Sequence, residues 1–160
     1  MASNPKLISL QAYDPAKVLI FIGGQRVSGF AADTKVVISR NNDNITPLSG
    51  VDGEISSAIV RDNSGVVTIS LQNTSVWNGY LSQWQLQARV TGLVYFPIQI
   101  EGSQGLSLNT FGWVQRQPDL TYGSEVGQMD WEIGVVDAQL SADQIQGVAA
   151  GITGILGLDQ

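Results

Sequence analysis

Short runs of β-branched and aliphatic residues alternate along this chain with clusters of Gly, Asn, Asp and Ser, and one internal stretch switches to helical spacing. Residues 17–22 (Lys-Val-Leu-Ile-Phe-Ile) and 25–30 (Gln-Arg-Val-Ser-Gly-Phe) flank Gly23-Gly24, which predicts a hairpin about a two-residue turn. Residues 35–40, centred on Val36-Val37-Ile38, predict a third strand. From Asn41-Asn42-Asp43-Asn44 the chain runs polar to Glu54, and a loop of that length without structure of its own reads as a contact element. Two further strands are predicted at 55–61 and 66–71, on either side of Asp62-Asn63-Ser64-Gly65. In the second of these, Val67, Ile69 and Leu71 alternate with Thr68 and Ser70, so one face is core and the other is not.

Trp77, Tyr80, Leu81, Trp84 and Ala88 then fall at i, i+3, i+4, i+7 and i+11. This spacing predicts one flanking α-helix over about residues 76–91, with Asn73, Thr74 or Ser75 as N-cap and Gly92 beyond its end. Two of the four tryptophans lie on its apolar stripe and read as core packed against a sheet rather than as a ligand platform, since aromatics chiefly supply buried area. Strand signals resume over 94–100, turn through 101–105 and continue over 106–117 until Pro118-Asp119 breaks the run. Met129, Trp131, Ile133 and Val135 alternate with Asp130, Glu132 and Gly134 in a last long strand, which puts two carboxylates on one side. The order is mainly β, and it predicts an antiparallel β-sandwich or barrel with a packed helix.

Ser141-Ala142-Asp143-Gln144 matches a capping box, and Ile145, Val148, Ala149, Ile152, Ile155 and Leu156 follow at helical spacing. Gly147, Gly151, Gly154 and Gly157 each weaken such a helix by about 1 kcal/mol against Ala. Residues 141–160 therefore read as a helical arm that needs a surface to pack on, its own domain or a neighbouring subunit; a frayed tail and a membrane contact are the other readings. A single domain over 1–160 is expected, with its core at about 13–140, because at this length roughly 70% of the unfolded surface can be buried.

Composition narrows the function. The chain has no His, no Cys and only 8 Lys and Arg, so the usual general bases, nucleophile pairs and soft metal ligands are missing. Assembly is favoured over catalysis: no enzyme activity, catalytic residue, cofactor or metal site is expected. A net charge of −6 without a basic cluster disfavours tight sequence-specific nucleic-acid binding. Only 14% of residues are charged, against about 25% in ordinary domains, and such weakly charged polar surfaces suit burial against other protein. No basic region with a long apolar stretch follows Met1, and no apolar run approaches the roughly 20 residues of a membrane span, so a soluble, cytoplasmically made chain without a membrane anchor is expected. The lack of Cys leaves the redox compartment open.

Several candidate sites fail on chemistry. Asp43, Asp52 and Glu54 do not match calcium-loop spacing. Asp130 and Glu132, two apart on one strand face, read as an exposed acidic surface rather than as paired carboxylates for glycoside hydrolysis, which must face each other across a cleft. Asn44-Ile45-Thr46 and Asn73-Thr74-Ser75 match the glycosylation tripeptide but read as ordinary turn residues. Gly23-Gly24 precedes a strand, not a helix, and implies no phosphate cradle.

The stretch Lys17-Val-Leu-Ile-Phe-Ile-Gly-Gly-Gln-Arg-Val-Ser-Gly-Phe-Ala-Ala-Asp-Thr, then Val37-Ile-Ser-Arg-Asn-Asn-Asp, Val51-Asp-Gly-Glu and Asn63-Ser-Gly-Val-Val-Thr-Ile-Ser-Leu-Gln-Asn-Thr-Ser, resembles the inner tail tube proteins of contractile-tailed bacteriophages. The similarity continues through Gln117-Pro-Asp-Leu-Thr-Tyr-Gly-Ser-Glu-Val-Gly to the strand around Trp131, covering about residues 13–140, and leaves out the arm from Ile145. This resemblance implies a β-sandwich-like fold with a flanking helix, hexameric rings whose inner strands form a continuous barrel, and rings stacked into a hollow tube. It implies a virion protein made and assembled in the host cytoplasm, whose partners are itself, the tail sheath protein, and the baseplate and tail terminator proteins. DNA would be non-specific cargo. The loop with Asn41, Asp43, Asn44, Asp52 and Glu54 is then expected to reach the next ring, and Asp130 and Glu132 to face a lumen where DNA slides without sticking. The alternative reading is a β-sandwich carbohydrate-binding module with Trp77, Trp84, Trp113 and Trp131 as a stacking platform; a hydrolase using paired carboxylates is a more distant third.

Overall fold

A computed structural model describes residues 13–92, 95–103 and 105–142. After a 3-10 turn at Pro15–Lys17 come β1 (Leu19–Ile22), β2 (Gln25–Arg26), β3 (Val36–Arg40), β4 (Ile45–Ser49), β5 (Ile55–Ile59) and β6 (Gly65–Gln72). The helix α1 (Trp77–Thr91) leads to β7 (Phe96–Glu101), β8 (Leu106–Arg116), β9 (Gln128–Val135) and β10 (Ser141–Ala142). The fold is mainly β and antiparallel with one flanking helix, as expected.

One sheet runs in the order β2-β1-β7-β8-β9-β6-β3, and β10 pairs with β8. The β1–β2 turn works because Gly23 and Gly24 both take positive φ, 60° and 82°, which a tight hairpin turn of this hand requires at both central positions. β2 stops after two residues, short of the predicted run to Phe30. Beyond it the chain crosses to β6: the Ala31 N–H donates to Ser70 O at 3.0 Å, the Gln72 N–H donates to Gly29 O at 2.8 Å, and Phe30 bridges Leu71. A segment leaving one edge of the sheet thus binds near the other edge, and the sheet curls around one core.

That core is built by period-two alternation. Ile20 and Ile22, Ile98 and Ile100, Val67, Ile69 and Leu71, and Trp131, Ile133 and Val135 all point inward and form a single buried cluster. Each fully buried aliphatic side chain stabilises the fold by about 1.5–3 kcal/mol. The helix adds Trp77 and Leu81 to the cluster and lays Trp84 on Phe96, with ring centroids 5.0 Å apart. Its start is held by Ser75, whose Oγ accepts the Trp77 N–H at 3.3 Å and donates to Ser28 O at 2.8 Å. Gly92, at φ 74°, closes it by donating to Ala88 O at 3.1 Å. Trp131 Nε1 donates to Asn78 Oδ1 at 2.9 Å, so the buried indole nitrogen is satisfied from the helix. Tyr80, on the predicted stripe, is instead exposed.

Two expectations need correction. Residues 41–54 are not a structureless loop: β4 lies within them and pairs with β5 from Ile45↔Ile59 to Ser49↔Ile55. β6, the next strand in the chain, is flanked instead by β3 and β9. Ser141 and Ala142, read as the start of a helical arm, are extended and pair with Ser107 and Leu106 of β8. The rest of that arm lies outside the described residues.

Candidate assembly surfaces

The β4–β5 hairpin projects from the junction of β3 and β6. A polar network ties down its base: Arg40 Nη1 donates to Asn44 Oδ1, Arg40 Nη2 to Asn63 Oδ1 at 2.7 Å, and Asn42 Nδ2 to Asp62 Oδ2 at 2.8 Å. The Asn41 N–H donates to Ser64 O at 3.1 Å and its side chain to Ser64 Oγ at 3.2 Å. Ser64 beside Asp62, through its backbone N–H at 3.0 Å and its hydroxyl, holds that carboxyl below the usual aspartate range, with smaller help from Asn42 and Arg40. At the tip, Gly53 takes φ 82° and the Gly50 N–H donates to Glu54 O at 2.8 Å.

In the hairpin register Ile45, Pro47 and Ser49 share a face with Ile59, Ser57 and Ile55. One face is thus apolar at Ile45, Pro47, Ile55 and Ile59, yet every residue of both strands is exposed and none joins the core. A two-stranded ribbon alone in water is marginal at best, and an uncovered apolar face on one calls for a partner. Of the residues assigned to a contact loop, Asn41, Asp43 and Asn44 sit at the base of this hairpin, while Asp52 and Glu54 sit at its tip; all are exposed.

Asp130 and Glu132 lie on the face of β9 opposite Trp131 and Ile133. Asp130 accepts from Gln128 Nε2 at 2.7 Å, and Glu132 stands across from Arg116. With Asp119, Thr121 and Gln128 they border an open polar hollow of about 260 Å³. Among the described residues no group of three or more His, Cys, Asp or Glu is placed to hold a metal ion.

Other surfaces escaped sequence reasoning. A hollow of about 630 Å³ on the outward face of β1, β7 and β8 is lined by Phe21, Pro97, Phe111 and Val136, with Gln99 and Asn109. The β8–β9 connection exposes Leu120, Tyr122 and Val126. Their only sequence signal is phase: Phe21 sits between the inward Ile20 and Ile22, so it must point out. The tryptophans do not share a platform. Trp77 and Trp131 are buried, Trp84 packs on Phe96, and Trp113 covers Gly134 and meets Tyr95 edge-on at 5.8 Å.

A curled antiparallel domain with an unsupported apolar hairpin and apolar side chains left on its sheet face and loops defines a subunit built to associate. Among solved structures, the anti-feeding prophage cap, described as a tube terminating cap, has a similar fold: TM-score 0.57, 11% sequence identity, covering 84% of this chain and 95% of that one. The chain belongs to the bacteriophage PhiTE tail tube protein family, whose model matches residues 21–142. No curated protein matches it. Membership makes it a structural tail component, part of the virion, that associates with itself and with other tail proteins. Among the described residues no helix is long and apolar enough to cross a membrane.

Proposed function

We propose that this chain is the subunit of the inner tail tube in a contractile tail, closing as hexameric rings that stack into a hollow conduit for DNA delivery. The observation that carries this reading is the β4–β5 hairpin, whose apolar face has no partner among the described residues. Ring closure and stacking cover such a face and also the exposed edge of β3, removing sites that would otherwise aggregate. In this reading the hairpin bearing Asn41, Asp43, Asn44, Asp52 and Glu54 contacts the next ring. Asp130 and Glu132 face the channel, where like charge keeps the DNA phosphates from binding. The outer surface meets the sheath, and the tube ends meet baseplate and terminator proteins.

Light scattering and negative-stain electron microscopy on the purified protein at rising concentration test the proposal. Hollow tubes or sixfold rings are the expected particles. A monomer at every concentration, even with baseplate components added as a seed, would sink it.

A further inference from the structure

We propose that the hollow lined by Phe21, Pro97, Phe111 and Val136 is the seat for the β4–β5 hairpin of a second copy of this chain. The proposal rests on the tube reading above and names the surface that the hairpin meets. Among the described residues, nothing covers either half of the contact. Phe111 is 58% and Val136 53% exposed in the hollow, and on the hairpin Ile45 is 56%, Ile55 79% and Ile59 76% exposed. The hairpin does not fold back into its own hollow, since its apolar face would then be buried. From Ile45 to Val51 it extends roughly 20 Å at about 3.3 Å per residue, enough to reach a neighbour.

Charge orients the contact. Arg26 pairs with Phe21 in the β1–β2 register and so lies on the same face as the hollow. Asp52 and Glu54 follow the exposed tip residue Val51, so the acidic tip is drawn to the Arg26 side. Asp137, on the hollow's lining, disfavours the reversed placement. Because hairpin and hollow are different patches of one chain, their contact is head-to-tail and propagates from copy to copy, as a ring or stack requires.

The chain contains no cysteine, so introduced thiols report one contact at a time. Ile59→Cys at the hairpin base and Phe111→Cys proteins, mixed, assembled and treated with a short bis-maleimide, should give a cross-linked dimer well above that formed when Leu86→Cys on the exposed helix face replaces Phe111→Cys. Phe111→Cys should also react with a monofunctional maleimide at least tenfold more slowly in assembled particles than in the monomer. Particles that form with no such dimer and no protection overturn the hairpin–hollow pairing and leave the tube reading standing. Slow labelling already in the monomer, relieved by deleting residues 143–160, overturns it in favour of the chain's own terminal segment. Failure of the unmodified protein to assemble, even with baseplate components added as a seed, overturns both readings. As a second variant, Phe111→Asp should weaken association at least tenfold at an unchanged melting temperature; normal assembly of that variant also contradicts the pairing.

Discussion

Replacing Ile55 and Ile59 together by Ser strips the apolar face of the hairpin without entering the core. Ile55 is 79% and Ile59 76% exposed, so neither supports the isolated fold much. Surface changes of this kind alter stability by no more than about 0.5 kcal/mol each, and loss of the Ile45–Ile59 cross-strand pair adds about 0.2–1 kcal/mol. Association is different. Fully burying an isoleucine contributes about 2 kcal/mol, and scaling by the area still exposed leaves about 1.5 kcal/mol for each side chain to gain against a neighbour. The pair supplies about 3 kcal/mol, which at about 1.4 kcal/mol per tenfold makes the double variant associate on the order of a hundredfold more weakly. Sedimentation velocity over a concentration series measures that shift, and thermal melting of the monomer verifies the fold. An unchanged association threshold would refute the reasoning, because the face would then not be buried between copies. A melting temperature lowered by ten degrees or so would refute it too, by showing that the hairpin packs on its own domain.

Leu81→Ala should destabilise the domain by about 2–5 kcal/mol, since Leu81 is the fully buried anchor of the helix, while Leu86→Ala on the exposed face should cost under about 0.5 kcal/mol; chemical denaturation separates the two. Gly65→Ala should cost about 1–3 kcal/mol, because a Cβ there presses on the Ser39 carbonyl oxygen and on Ala138, and equal stability of variant and parent would contradict the packing. Asp62 should titrate below the ordinary aspartate value of about 3.9. Its folded-state pKa is depressed, so its contribution is fully present above that ordinary value and is lost as the pH falls through the lowered one. An NMR titration should show the Ser64 amide following Asp62, and Asp62→Asn should remove the acid-side loss; an ordinary Asp62 pKa would contradict the assigned bonds.

The buried half of this fold was legible because burial imposes a period. Val67-Ile69-Leu71 and Met129-Trp131-Ile133-Val135 each show one face to the core, and the helix shows its stripe at Trp77, Leu81 and Trp84. The hairpin was illegible for the same reason. With both faces exposed, β4 (Ile-Thr-Pro-Leu-Ser) carries no alternation, and Pro47 argues against a strand. Pro47 is tolerated because hydrogen bonds at Asn44–Val60 and Gly50–Glu54 place the bonded pairs at even positions, so its missing N–H points outward. Which strand pairs with which was likewise hidden, and only the folded chain sets β5 beside β4. The carboxylates of Asp130 and Glu132 were placed correctly on one face, since period two alone fixes that. The hollow around Phe111 could not be foreseen, because it is assembled from three strands that the sequence does not order.

The most direct measurement is cryo-electron microscopy of the assembled protein, resolved far enough to trace the chain. Stacked sixfold rings around an open channel are expected, with Asp130 and Glu132 lining it and each β4–β5 hairpin seated on another copy. Particles without a channel, or a tube whose hairpins stand free in solvent, would contradict it.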